Sequence, residues 1–372
     1  MKLEDFQARK SVELLAVQRR SGNQVLIIAS FLFRKRSLLL KLKEIGEFGF
    51  IDRIAPISSF RAEGVIKGIG DDCAVISIGG PEHLLITTDL LVERVHFLMH
   101  WAPPEVIGAK ALTTNLSDIA ACGGVPRDAF ISLAVPERID LAWLDGLYLG
   151  MSKLASTFDV NLLGGDITGS KGDFVVNIAV TGLVPCDEVL FRHTASAGDI
   201  IVLTGPIGRS AAGLEILLRS PDIDPEIAQT LLASHLEPRA HIREGRLLAR
   251  SRACTAAMDV SDGLSSDLGH ICRDSGVGAL VYEARLPGGD VLVRAAAIMG
   301  KDPLAWMLNG GEDYVLLAAI KPELLNDIKK DFEGEGRQIF PIGEFVAGRG
   351  IELVRIDGRR EDLSPRGWDH FR

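Results

Sequence analysis

The chain lacks a basic balance: its 41 Lys and Arg are outnumbered by 50 Asp and Glu, for a formal net charge of -9. That argues against a general nucleic-acid binder, whose footprint is a basic patch or domain, and leaves a small-molecule substrate. Cysteine is scarce as well. The five thiols (Cys73, Cys122, Cys186, Cys254 and Cys272) are odd in number, widely spaced and without a C-x-x-C pair. This pattern disfavours a disulfide framework or zinc site and fits reduced thiols in the cytoplasm, most of them small core residues. The apolar stretch Val25 to Phe33 has only nine residues where a bilayer span needs about 18, and it lacks the cleavage site of a secretory signal. There is no G-x-S-x-G elbow, no short-period repeat and no low-complexity linker.

What is present is a chain of 372 residues, 47% apolar, long enough for two domains with a real core each. The first 43 residues carry ten Lys or Arg against three Asp or Glu, whereas the remainder carries 31 against 47. The sign of the charge therefore reverses, and residues 1–43 read as an appended basic extension. From Gly68 onward short β-rich runs alternate with longer helical ones. Strands are expected at Leu84–Asp89, Ala129–Val135, Val160–Gly164 and Phe174–Leu183, with helices from Pro103 to about Cys122 and from Leu141 to about Phe158. Past an exit near Val184–Asp187 the style repeats, with strands at Ile200–Thr204, Thr255–Met258, Gly278–Tyr282 and Tyr314–Ile320. Helices are expected there at Ser210–Leu218, Ile227–His235, Arg239–Ala249, Leu264–Asp274 and Glu323–Phe332. The expectation is an α/β protein of α+β type, with domains at 44–185 and 186–372.

Seven aspartates stand in glycine- or hydroxyl-rich turns at the ends of apolar runs: Asp71, Asp72, Asp89, Asp118, Asp166, Asp259 and Asp262. Taken one at a time, each could simply cap a helix or close a turn. Converged in a fold, they would repel one another and call for cations. Hydroxyls of Thr87, Thr88, Ser117 and Ser261 stand beside them, so the donors are all oxygen, as a hard divalent ion such as magnesium prefers. Gly205–Gly213 (GPIGRSAAG) is neither G-x-G-x-x-G nor a P-loop, which excludes those two nucleotide-binding architectures. His96, His235 and His270 are candidate site histidines beside a structural reading, and no protein nucleophile stands out. Direct phosphoryl transfer needs none, because positioning and charge neutralisation carry it.

The stretches GEFGFIDRI (46–54), GIGDDCAVI (68–76), TTDLLVERVHF (87–97), KALTTNLSDIAACGGVP (110–126), LLGGDITGS (162–170), MDVSDGLSSDLGHI (258–271), NGGEDYVLL (309–317) and GWDHF (367–371) together resemble the thiamine-monophosphate kinase family. That family belongs to the superfamily of aminoimidazole ribonucleotide synthetase. The resemblance implies a two-domain fold of mixed β-sheets with helices packed on them. It also implies a homodimer paired through the strands near Leu84–Thr88 and Ala129–Val135, and ATP-dependent phosphorylation of thiamine monophosphate with several Mg2+ ions. Carried over, it assigns Asp72, Thr87, Thr88, Asp89, Asp118, Asp166, Asp259 and Asp262 to magnesium, and Gly165, Arg192 and Ser261 to ATP. His96, Glu312 and Trp368 fall at the thiamine phosphate. One departure is the loop after Asp166, where Ile167–Lys171 lacks the family's arginine and Lys171 is the available substitute. The alternatives are a sister activity of the superfamily or a catalytically silent nucleotide-binding protein. Against the sister branches, no cysteine precedes Cys73 and none follows Cys272.

Overall fold

The computed structural model describes residues 41–364 and 367–368, so the expected extension lies outside the described residues except at its last three positions. Two compact units emerge, Ser59–Trp368 and a smaller one whose described part is the helix α1 (Leu42–Ser58). In α1 the chain kinks at Gly46, whose φ of 69° only glycine adopts cheaply.

Ser59–Trp368 holds two mixed sheets. The first contains β1 (Val65–Lys67), β2 (Ala74–Ser77), β3 (Glu82–Val92), β4 (Val125–Pro136), β5 (Asn161–Ser170) and β6 (Val175–Pro185), in the order β1-β2-β3-β6-β4-β5. Helix α2 (Pro104–Ala121) follows β3, and α3 (Leu141–Thr157) crosses from β4 to its parallel neighbour β5. Along β3 the side chains alternate: Leu85, Thr87 and Leu91 are buried, while Thr88 and Leu90 face outward and are exposed. Helix α2 is buried almost all round because it packs on this sheet, on α3 and on elements of the second half. Its contact with α3 is close enough to require glycine. A Cβ on Gly150 would lie 1.8 Å from the Glu105 carbonyl oxygen, and one on Gly108 2.0 Å from that of Leu147.

The second sheet contains β7 (Ile200–Leu203), β8 (Cys254–Asp259), β9 (Gly278–Tyr282), β10 (Leu316–Ile320), β11 (Phe340–Val346), β12 (Ile351–Val354) and β13 (Arg360–Asp362), ordered β13-β12-β9-β11-β7-β10-β8. Every residue of β10 is buried, which explains why LLAAI reads as an unbroken apolar run: both faces of the strand are covered. One face joins the core around α2, α6 (Ile242–Ser251) and α10 (Leu325–Gly334); the other packs on α7 (Leu264–Ser275) and α9 (Pro303–Asn309). Helices α4 (Arg209–Arg219), α5 (Pro225–Leu236) and α8 (Gly289–Met299) form a separate apolar cluster with Trp306.

The expected mixed α/β architecture is present, with local differences. β5 runs on past Gly164 to Ser170, carrying Asp166 into an edge strand. β10 starts at Leu316 rather than Tyr314, because Glu312 and Tyr314 have φ of 60° and 51° and cannot be extended. α6 starts at Ile242 rather than Arg239, whose guanidinium is turned back onto Glu244 at 2.7 Å. α1, β1, β2, α8 and α9 answer to no expected element.

Candidate functional site

Three chain segments distant in sequence meet where α2 passes between the two sheets. Asp72 comes from the glycine-rich turn before β2, Asp118 from the last turn of α2 and Asp259 from the end of β8. One carboxylate oxygen of each lies within 4.8 Å of the others. Thr87 Oγ1 on β3 donates to Asp118, and Ser117 Oγ donates to Asp259 Oδ2 at 2.6 Å. Asp89 is held beside them, its backbone N–H donating to Asn115 Oδ1 at 3.0 Å.

The electrostatics are those of buried carboxylates crowded against one another. Burial, then the charges of Asp259 and Asp71, hold Asp72 well above the usual carboxylate range. Burial, then Asp89, Asp259 and Asp72, do the same to Asp118. Burial followed by the charge of Asp89 pushes Asp259 up to about 6, against the pull of Ser117. Asp72 Oδ2 is buried without a hydrogen-bond partner among the described residues. Such an oxygen costs on the order of 1–3 kcal/mol or more unless something else satisfies it. The donor set fits magnesium: oxygens only, crowded, with a surplus of negative charge.

The group is not wholly without basic neighbours. Arg192 draws Asp71, Asp72 and Asp259 down, and its Nε donates to the Gly70 carbonyl at 3.0 Å while pairing with Asp274 at 3.1 Å. Lys67 Nζ is 3.6 Å from Asp71.

Asp262 and Ser261 lie in the turn after β8, where Asp262 N–H donates to Asp267 Oδ2 at 3.3 Å and the Ser261 carbonyl accepts from Glu312 N–H at 2.7 Å. The C-terminal stretch docks on that same turn: Trp368 N–H donates to the Asp262 carbonyl at 3.0 Å, and Gly367 N–H to Ser266 Oγ at 3.0 Å. Trp368 thereby stands beside the acidic turn with its ring half-exposed.

Glu312 is not an open acceptor for a cation. Lys110 Nζ, on buried α2, contacts its Oε2 at 2.8 Å, and His235 Nδ1 lies 3.2 Å away. Burial would raise Glu312, yet Lys110 and His235 hold it below its ordinary value. Burial, then Lys110, lowers His235 to about 4, so the ring is neutral near pH 7, with Nδ1 3.0 Å from Ser210 Oγ. His96, whose Nδ1 accepts from Val92 N–H at 2.9 Å, is close enough for its charge to act on Glu312.

Two expected metal ligands lie elsewhere. The sheet register aligns Asp166 with Ser132, Asn177 and Leu90, and Gly165 with Ile131, Ile178 and Asp89. Three strand steps of about 4.8 Å separate Asp166 from β3. Asp166 shares the outer face with Thr88, whose Oγ1 accepts from Asn177 Nδ2 at 2.9 Å. Successive residues alternate faces, so Thr87 joins the aspartate group and Thr88 does not. Gly165 is required where it is: at φ 147°, a Cβ would sit 1.6 Å from the Ile131 carbonyl oxygen. The sequence reading missed Lys110, Asn115 and Asp267. Only the last had a usable signal, since SSDLG repeats the hydroxyl-then-acid pattern of its neighbours.

Both halves of the chain match models of AIR synthase related proteins. The N-terminal domain model of that family matches residues 70–184 and the C-terminal one residues 196–356. Among curated relatives, thiamine-monophosphate kinase of Escherichia coli (strain K12) is 39% identical over 330 residues, 88% of this chain and 98% of that protein. The enzyme of that name from Aquifex aeolicus is 34% identical over 89% of this chain and its whole length. A solved structure described as AaThiL complexed with AMPPCP and TMP superposes with a TM-score of 0.79 at 33% identity, covering 90% of this chain and 100% of that one. The chain belongs to the thiamine-monophosphate kinase family of enzymes.

Proposed function

We propose that this protein transfers the γ-phosphoryl group of ATP to thiamine monophosphate, giving thiamine diphosphate, by direct in-line displacement. The observation that carries the reading is the convergence of Asp72, Asp118 and Asp259 on one oxygen-only locus, in a chain whose relatives bear that activity in their names. Asp72, Asp89, Asp118 and Asp259, with Thr87 and Asp262 at the margin, would hold magnesium there, and it would supply the charge neutralisation that lets two phosphate-bearing molecules approach.

The chain's own residues do the rest. Ser117, Asn115 and Thr87 fix the carboxylates and backbone against rotation, which pre-organises the locus. Arg192, anchored on the Gly70 carbonyl and Asp274, sets a largely buried guanidinium beside Asp71 and Asp72, where it suits an ATP phosphate. Trp368 offers a half-exposed ring beside the Asp262 turn for stacking, and His96 with the Lys110–Glu312 pair lines the approach expected for thiamine phosphate. Glu312 acts there as a charge-balanced acceptor fixed by Lys110, with its negative charge shared rather than offered whole to the thiazolium.

The reading includes a homodimer, with domains at 44–185 and 186–372 and a cytoplasmic setting. Support for the dimer comes from the outer face of the first sheet, where Leu90, Phe130 and Leu163 are exposed together with Thr88 and Asp166. A second copy laid on that face would cover these apolar side chains. Among the described residues no helix is long and apolar enough to cross a membrane. The test is formation of thiamine diphosphate by purified protein with ATP, Mg2+ and thiamine monophosphate. Inactivity there, with turnover of another superfamily substrate, overturns the reading.

A further inference from the structure

Beside the aspartate locus, and sharing one of its members, lies a group of different chemistry. Cys122 caps the C-terminus of α2, one helical turn past Asp118, and its thiol is fully buried. Its Sγ and one oxygen each of Asp71 and Asp72 lie within 4.8 Å of one another.

Both carboxylates have an oxygen to spare. The Asp71 side chain has no solvent exposure, and its Oδ2 makes no hydrogen bond among the described residues, with only Lys67 Nζ at 3.6 Å and His193 Nδ1 at 3.5 Å in ion-pair range. Asp72 Oδ2 is the other buried oxygen without a hydrogen-bond partner. The Cys73 side chain draws the Cys122 thiol down, but burial and then the charges of Asp72 and Asp71 hold it above its ordinary value, so the sulfur stays protonated until a metal displaces its proton. None of the cysteines is in a disulfide.

We propose that Cys122, Asp71 and Asp72 form a second cation site, selective for thiophilic divalent ions such as Zn2+ or Cd2+ over Mg2+. One sulfur and two oxygens leave a fourth position for water, a set that a hard, six-coordinate ion disfavours and a borderline-soft tetrahedral one accepts. Binding forms a sulfur–metal bond as the S–H proton passes to solvent, with no change of oxidation state. A thiolate and two carboxylates, less the charge of Lys67 and with Arg192 paired to Asp274, balance a dication. Because Asp72 also belongs to the Asp118 and Asp259 group, an ion at Cys122 withdraws a carboxylate from the magnesium locus and inhibits the enzyme.

The test is titration of the full-length protein with CdCl2 under saturating Mg2+, followed by thiolate-to-metal charge-transfer absorption in the ultraviolet. One ion per chain is expected. The band should persist in Cys186→Ser, which removes the exposed thiol, and in Asp118→Asn, which alters only the magnesium group. Cys122→Ser should abolish the band and weaken binding about 100-fold, and Asp71→Asn should weaken it about tenfold. Should the Cys122 variant fail to fold, Asp71→Asn alone decides. A band that survives Cys122→Ser, disappears in Cys186→Ser, or is indifferent to Asp71→Asn overturns the proposal. The readout requires no turnover, so it stands or falls independently of the kinase reading.

Discussion

Replacing Asp259 by Asn should make the metal-free protein more stable and the magnesium-bound protein less so. Asp259 is buried, and its carboxyl is pushed up from 3.8 to about 6 by burial and then by the charge of Asp89. At 1.36 kcal/mol per unit, a rise of about two units means that keeping it ionised costs about 3 kcal/mol, an upper figure because its neighbours adjust with it. The sign follows from linkage. A carboxyl whose folded value is raised gives stability that is complete below its unfolded value near 4 and is lost as pH rises through about 6. In EDTA the variant should match wild type near pH 4 and exceed it by about 1–3 kcal/mol at pH 8, since Asn can still accept from Ser117 Oγ. In saturating Mg2+ the order should reverse, because wild type gains RT ln(1 + [L]/Kd) and the variant gains little. Thermal melts at pH 4, 6 and 8, with and without Mg2+, measure all of this. A variant less stable than wild type in EDTA at pH 8, or one stabilised by Mg2+ as much as wild type, would refute the account of Asp259 as a strained cation ligand.

Other expectations follow from the same geometry. Asp72→Asn and Asp89→Asn should each lower kcat by about 100-fold or more with the fold intact by circular dichroism; near-normal turnover would remove that residue from the phosphoryl-transfer site. Lys110→Met strands Glu312 beside His235 and should cost about 3 kcal/mol in urea unfolding, and the double variant with Glu312→Gln should recover part of it. Alone, Glu312→Gln should raise KM for thiamine monophosphate well above any change in KM for ATP. Gly150→Ala drives a Cβ to 1.8 Å from the Glu105 carbonyl oxygen and should destabilise by about 3 kcal/mol, or prevent folding, because backbone must move to admit it. A chain beginning at Lys43 should keep its turnover and its oligomeric state by light scattering; loss of either would give residues 1–42 a role that their charge alone does not.

Much of the fold was legible because it rests on local periodicity. Period-two runs in β3, β4 and β6, the Pro104 start of α2 and the glycine-punctuated turns around each aspartate all declare themselves within a few residues. The motifs named the chemistry for the same reason, since a carboxylate in a glycine or hydroxyl turn is a local pattern. What the sequence could not declare was which of those carboxylates meet. Ser117 and Asp259 are 142 positions apart and Lys110 and Glu312 are 202, and those pairings exist only because α2 is packed between two sheets. The strand order β3-β6-β4-β5, a matter of long-range register, carried Asp166 and Thr88 to the face that Asp118 does not share. Thr87 and Thr88 are chemically alike and adjacent, and the pleat alone sent one hydroxyl to Asp118 and the other to Asn177. Residue type and spacing determined that oxygen-bearing side chains would stand in glycine and hydroxyl turns; tertiary packing decided which of those oxygens meet, because burial and charge repulsion act through space and not along the chain.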